Sequence, residues 1–468
     1  MDNLELKSLS RALGAFLRRF SRGIKTAPSR RHFRTYIRGQ LSDLERKTVA
    51  AIAEGAGVVK RSLQEFLEIH RWDQKWMRDR VQQIVATEHA DEQAIGVIDE
   101  TSYAKRGVST AGVQRQYCGA SGKIDNCVVT VHLGYVVKDF HTLLDAELFL
   151  PEERWAGDRQ RCREAGIPED LEYRPKWQIG LELLERALSN GVHLRWLVAD
   201  EEYGCCGQFR QTVADQGIWY VVEVPCSTLG WTRKPRLEQE FRRSGSSPKI
   251  ALAPGASASR RVDQLWQRGG PSWEYFHVKN TEGGPVVWEV RATRFLASEE
   301  SLPGTEQWLL IGRHALSGEH KYFLSNAPAE TSRETLLHVG FSRAHIEQIF
   351  EEAKGQVGLD EFEVRHYQPL MRHLILSMVS MLFLILQRQR MEGEKKVVVE
   401  PAPDPSSDGA AARRGSEPGG APAETEATVG SLRLRAPSTP AGKEEPSQEP
   451  LAQTSPTRHP ALATAEML

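Results

Sequence analysis

The spacing of apolar and polar positions changes several times along this chain, and each change predicts a different kind of element. Through about residue 90 the spacing is helical. Ser42 with Glu45 three positions on reads as a capping box, after which apolar residues recur at Val49, Ile52 and Ala53. A second helix is predicted from Lys60 to Leu67. A third runs from Trp72 to Val85, with Trp76, Val81, Ile84 and Val85 on one stripe. From Ala94 the pattern shortens. Ala94 to Asp99 (AIGVID) is an apolar run ending in an acid, as expected of a buried strand. Asn126 to Val137 predicts a second strand, antiparallel to the first through a hairpin, and His141 to Leu150 a third. Trp177 to Asn190 predicts an amphipathic helix with Ile179, Leu183, Leu184, Ala187 and Leu188 on one face. Leu194 to Asp200 is a further apolar strand ending in an acid.

Residues 215–330 break this rhythm. Short strand-like runs (219–224, 286–290, 308–311) are separated by Gly, Pro and Ser turns, and 244–259 reads as a loop. Helices resume near Thr331 and continue to about Glu392. From 393 to 468 Pro, Ala, Glu, Ser and Thr dominate with almost no aromatic residues, a composition that predicts disorder. The expected organisation is therefore an N-terminal helical domain (1–90), an α/β domain in two parts (91–214 and 331–392), a β-rich insertion (215–330) and a disordered C-terminal tail (393–468). Three strands, a helix and a further strand, with acids at two strand ends, resemble the order of an RNase H-like domain.

Composition narrows the class. The chain has 468 residues and 40% hydrophobic residues, enough for a substantial core. Leu374 to Leu386 is too short to cross a membrane and reads as a buried core helix. No signal-peptide pattern opens the chain, and the six Cys form no paired CxxC framework. The expected setting is a cytoplasm with reduced thiols and no membrane. The net charge is −1, but residues 1–40 hold ten Lys or Arg against Asp2 and Glu5. A helical segment with such an edge could follow a phosphate backbone.

Chemistry concentrates on three acids. Asp99 and Asp200 sit at predicted strand ends; Glu347 lies on a predicted helix, four residues after Arg343 and seven before Lys354. Seven residues are two helical turns, so Glu347 and Lys354 share a face. Phosphoryl transfer on DNA uses two divalent ions about 4 Å apart, and carboxylates on a rigid frame hold such ions. Taken singly, each acid reads better as a cap or an ion-pair partner than as a metal ligand. Glu351 and Glu352 compete with Glu347, and Glu100 and Glu201 neighbour the two Asp. Strand alternation argues that Glu100 points away if Asp99 points at a metal. His141, His345 and His366 lack metal-ligand spacing. Trp231, Trp266, Trp273, Trp288 and Trp308 crowd the insertion and read as core more than as a stack for a flipped base.

The segments around these acids carry a resemblance. They are Glu100–Gly107 (ETSYAKRG), Gly112–Gly119 (GVQRQYCG), Gly122–Cys127 (GKIDNC), Glu201–Gly204 (EEYG), Lys321–Ala327 (KYFLSNA), the Glu347 helix, Phe362–Tyr367 (FEVRHY) and Met371–Leu374 (MRHL). In this order they resemble insertion-sequence transposases of the DDE superfamily, of the insertion-sequence 701 type, over roughly residues 10–390. The resemblance implies an RNase H-like fold with a β-rich insertion, and a catalytic, metal-binding triad of Asp99, Asp200 and Glu347. It implies two Mg²⁺ ions, for which Mn²⁺ can substitute. Activated water would cut double-stranded DNA at the terminal inverted repeats, and the freed 3′-OH would attack target DNA. It further implies a homodimer on DNA in a bacterial cytoplasm, nucleoid-associated when bound. Arg343 and Lys354 complete the pattern Arg-x3-Glu-x6-Lys as phosphate contacts; Lys105, Arg106, Arg115 and Lys123 are further candidates for the DNA path. The family pattern opens with a Tyr where this chain has Gly340. An inactive DNA-binding descendant and a nuclease of the same fold remain as alternatives.

Overall fold

The computed structural model describes residues 3–240, 249–265, 270–281 and 284–399. Five helices come first: α1 (Asn3–Arg18), α2 (Ala27–Gln40), α3 (Val49–Gly55), α4 (Lys60–Glu68) and α5 (Gln74–Glu88). The expected capping box at Ser42 does not start a helix. The chain stays irregular until Thr48, whose side chain accepts from the Ala51 amide and caps α3. Ser42 instead donates its hydroxyl to the Gly39 carbonyl at the end of α2. A local motif was outcompeted by a helix terminus that needed the same oxygen.

The sheet begins with β1 (Ile95–Ala104), β2 (Gln114–Cys118), β3 (Lys123–Val137) and β4 (Phe140–Leu148). α6 (Arg159–Glu164) and α7 (Lys176–Ser189) lead to β5 (Trp196–Ala199). Then come α8 (Glu201–Gly204), α9 (Gly207–Asp215) and β6 (Trp219–Glu223). β1 pairs antiparallel with β3 and parallel with β5; β4 pairs antiparallel with β3, and β6 parallel with β5. The order is therefore β4-β3-β1-β5-β6, a mixed sheet with helices. Three expectations change here. β1 continues past Asp99 to Ala104, so that acid is inside the strand. β1 and β3 are not joined by a simple hairpin, because β2 intervenes and pairs with β3. β6, expected in the insertion, pairs with the parallel strands.

The stretch after β6 is mainly strand: β7 (Leu229–Trp231), β8 (Leu237–Glu240), β9 (Lys249–Leu252), β10 (Arg260–Arg261), β11 (Glu274–Thr281), β12 (Gly284–Glu299), β13 (Leu302–His314) and β14 (His320–Ser325). β14 pairs with β6, so these strands continue the central sheet, while β8 and β9 form a separate ribbon. Within the expected loop 244–259, residues 249–252 form β9; residues 241–248 lie outside the described set. Trp266 also lies outside it.

Three helices close the described chain: α10 (Arg333–Phe341), α11 (Ala344–Val357) and α12 (Tyr367–Val399). α11 seats against β3 where Gly134 leaves room: a Cβ there would stand 2.8 Å from the Ile346 side chain. α12 extends well past the apolar run that announces it. Its stretch Tyr367–Met391 is long and apolar enough to cross a membrane, yet 89% of the most apolar window is buried inside the protein. The helix also passes residue 393 into the expected tail, and residues from 400 onward lie outside the described set. α2 packs on α12 through buried polar contacts. Tyr36 donates to His373 Nδ1 at 2.8 Å, and Gln40 bonds Ser377 at 2.8 Å and Ser380 at 2.9 Å.

Candidate active site

The register of two parallel strands places the acids. Ile98 of β1 stands opposite Ala199 of β5, so the next residues, Asp99 and Asp200, emerge side by side. Asp200 leaves the strand and caps α8, accepting from the Glu202 amide at 3.0 Å. Oxygens of Asp99, Glu100 and Asp200 lie within 4.8 Å of one another, the one such acidic group of three among the described residues. Glu100 is thus brought in where alternation argued it away. Its longer side chain is held by Tyr203, which donates to Oε2 at 2.8 Å, and by Lys176, 2.7 Å from Oε1. Lys176 also holds Glu202 at 2.7 Å.

Cations meet the acids from α11. Arg343, at the N-cap of that helix, donates from Nη1 to Asp99 Oδ2 at 2.6 Å. Its Nε stands 3.6 Å from Glu223, which Lys321 also engages at 2.7 Å. Burial pushes the Asp99 carboxyl up to about 7; Arg343 pulls against this, while Asp200 and Glu100 add to it. Asp200 is raised for the same reasons, burial first and then Glu100. The site therefore carries more carboxylate than its cations neutralise, with hard oxygen donors on adjacent strands. That donor set fits a divalent cation such as Mg²⁺.

Glu347 is not a member of the close group. It is exposed in the first turn of α11, one turn beyond Arg343, whose charged form it helps to stabilise after Asp99, Glu223 and Asp200. Of its rivals, Glu351 is exposed, and Glu352 is engaged by Gln348, Arg388 and His141. Lys354 is half-buried, 5.9 Å from the centre of the Tyr103 ring, and burial lowers its pKa. Lys105 donates to the Phe362 carbonyl at 2.9 Å and lies over that ring; burial brings it down to about 8. Arg106, Arg115 and Lys123 are exposed. Gly340 is buried, and a Cβ there would meet Val221 at 3.1 Å, so a Tyr at this position has no room in this packing. His366 pairs with Glu68 and His345 with the Ser342 carbonyl.

Glu223 is a site residue that sequence reasoning passed over, although its signal, an apolar strand ending in an acid, is the one that marks Asp99 and Asp200. Lys176 and Tyr203 offer no such signal, because their contacts with Glu100 span many residues.

A family model described as DDE superfamily endonuclease matches residues 19–268, more than half of the chain. The matched span includes Asp99 and Asp200 and ends before Glu347. The probable transposase for insertion sequence element IS701 of Microchaete diplosiphon is 26% identical over 334 residues, covering 70% of this chain and 75% of the relative. Among solved structures, the NurA nuclease of Sulfolobus solfataricus aligns over 74% of this chain and 100% of its own at 9% identity, with a TM-score of 0.23, a level that supports no argument.

Proposed function

The chain belongs to the DDE superfamily of endonucleases, and on that premise we propose that it is a transposase that cuts the ends of a mobile DNA element and joins them to target DNA. The convergence of Asp99 and Asp200 from neighbouring parallel strands, with Arg343 brought to them by α11, carries this reading. The relative named above supports the transposase class, and the strand order β4-β3-β1-β5-β6 supports an RNase H-like core. On the same reading, strands β7–β14 are the insertion and α1–α5 form a helical DNA-binding region. The protein would work in the cytoplasm, bound to double-stranded DNA as a homodimer.

Asp99, Asp200 and Glu347 would hold Mg²⁺, two ions in all, with Glu100 as a neighbouring carboxylate whose negative charge adds to the field that attracts the cation. When bound, the metal supplies Lewis acidity to the attacking and leaving oxygens of the phosphodiester. The protein's own groups prepare the rest. Tyr203 and Lys176 fix the Glu100 carboxylate, which keeps negative charge facing Asp99 and Asp200. Arg343 offers a planar fork that can pass from Asp99 to a phosphate oxygen, and Glu223 keeps the guanidinium in place during that exchange. Lys354 adds a point charge two turns beyond Glu347 on α11. Arg106, Arg115 and Lys123, with Lys105, line the approach of the backbone.

The test is cleavage of a labelled duplex containing the element end, with Mg²⁺, by the wild type beside Asp99→Ala and Glu347→Ala. Nicking at the junction by the wild type, reduced by at least about 10³-fold in both variants, is expected for loss of a metal ligand. Undiminished cleavage by Glu347→Ala would remove Glu347 from the triad, and binding without cleavage by the wild type would sink the enzyme reading.

A further inference from the structure

The hairpin that follows the first catalytic strand presents an apolar pair that the fold does not use. β2 and β3 set Tyr117 opposite Ile124, and Arg115 opposite Asn126. Alternation places both pairs on one face of the hairpin. Tyr117 is 67% exposed and Ile124 63%, with Arg115 exposed beside them. The opposite face does the packing, where Cys118 and Cys127 are buried against Val129. Asn126 Nδ2 donates to the carbonyls of Lys105 at 2.7 Å and Gly107 at 2.8 Å, which pins the hairpin to the turn that carries exposed Arg106. The hairpin tip folds back toward the acids: the Ala120 amide donates to Ser102 Oγ at 3.3 Å, and Ser102 lies three residues beyond Asp99 on β1. Between residues 105 and 127 stand four cations, Lys105, Arg106, Arg115 and Lys123, against one acid, Asp125.

A single exposed Tyr or Ile needs no explanation. A cross-strand aromatic–aliphatic pair, bordered by cations and tied back to the strand of Asp99, asks for a ligand with both a flat apolar face and negative charge. A nucleotide has both: its base stacks on an aromatic ring and its phosphate takes an Arg fork. Resting on the reading that this chain acts on DNA, we infer that the β2–β3 hairpin seats an unstacked nucleobase of the substrate on Tyr117 and Ile124, with Arg115 on a neighbouring phosphate. Extruding a base costs least where pairing is already broken, so the hairpin favours DNA with a weakened base pair. The contact of the hairpin tip with Ser102 ties this seat to the strand that carries Asp99, so a base held there would restrain the DNA strand against sliding.

The test uses the full-length protein in chelator, titrated against a short labelled duplex and the same duplex with one T·T mismatch, across a range of salt. The wild type is expected to bind the mismatched duplex about tenfold more tightly. Tyr117→Ala with Ile124→Ala should bind both duplexes alike, with an unchanged salt slope, and Tyr117→Trp should keep the preference. Arg115→Ala should weaken both and lower the salt slope by about one. Equal binding of the two duplexes by the wild type, or a preference that survives the double alanine variant, overturns the inference. Loss of a self-associated species in that variant on sedimentation, with its DNA preference intact, would assign the pair to a second copy of the chain and also overturn it. Failure of the wild type to bind either duplex would instead overturn the DNA reading itself.

Discussion

At Asp99 the folded protein holds a carboxyl that burial pushes up to about 7, against the pull of Arg343 and with the added push of Asp200 and Glu100. A carboxyl whose pKa is raised on folding binds its proton more tightly in the native state. Its contribution to stability is complete below the ordinary value of 3.8 and is lost as pH rises through about 7. At about 1.4 kcal/mol per pH unit, ionising Asp99 costs the fold about 4 kcal/mol above neutrality. Asp99→Asn keeps the shape and removes the charge. In chelator at pH above 7, its free energy of unfolding should exceed that of the wild type by on the order of 2 kcal/mol. The gain is smaller than the full cost because Asn presents one acceptor oxygen where Asp99 accepts from both the Glu100 amide and Arg343. Denaturant titration reads the difference, and a variant no more stable than the wild type at high pH would show that Arg343 already neutralises the site. The two Asp were legible in the sequence because each follows an apolar strand run, and Glu223 carries the same mark unread. The place of Glu100 was not legible. Alternation fixes where a Cβ points, whereas a long side chain held by Tyr203 and Lys176 can turn its oxygens back.

Elements were legible where one local signal met no competitor. α4, α5 and α7 form close to the positions that the sequence predicts. Ser42 failed as a cap because the end of α2 claimed its hydroxyl, and β2 went unseen because its residues are polar and its pairing is with a strand not yet formed. The sequence carries helix to about Glu392, within α12, while polar residues interrupt the helix's apolar run, among them His373, Ser377 and Ser380, whose partners lie on α2 and at the end of α11. His373 Nδ1 accepts from Tyr36, so Nε2 carries the hydrogen directed at the Gly358 and Leu359 carbonyls at 3.1 and 3.2 Å. Burial brings His373 down to about 4, opposed by those carbonyls. Unfolded, it titrates near 6.5, so the unfolded chain binds the proton first. The stability of the neutral pin is complete above 6.5 and falls as pH drops toward 4. At pH 5 the loss is about 2 kcal/mol. His373→Gln should be less stable than the wild type at pH 7, yet its melting temperature should fall less between pH 7 and pH 5. Parallel pH curves for the two proteins would place the acid sensitivity elsewhere, with fully buried His132 the next candidate.

Across the whole molecule the net charge of −1 conceals a separation of charge. On α2 the residues Phe33, Tyr36, Ile37 and Gln40 are buried, while Arg31, Arg34 and Arg38 are exposed, a spacing that sets the three cations along the outer face. The inner face is bonded to α12 through His373, Ser377 and Ser380, and α12 in turn packs on the sheet that carries the acids. The described residues 3–399 belong to one compact unit, so this basic face is part of the same packed body as the sheet that carries the acids. If DNA lies along α2, its position relative to Asp99 and Asp200 is set by packing rather than by a linker. Each phosphate neutralised contributes about 0.9 to the slope of log affinity against log salt. Replacing Arg31, Arg34 and Arg38 together by Ala should therefore lower that slope by two to three, about one for each cation lost. The melting temperature should change little, because the three side chains are exposed and the buried face of α2 is untouched. A fluorescence anisotropy titration over a salt series reads the slope directly. An unchanged slope would place the DNA away from α2, leaving Arg106, Arg115 and Lys123, on the β2–β3 hairpin and the turn before it, as the electrostatic footprint. A fall in slope with cleavage position unaltered would mean that α2 supplies affinity while the sheet supplies the register of the cut.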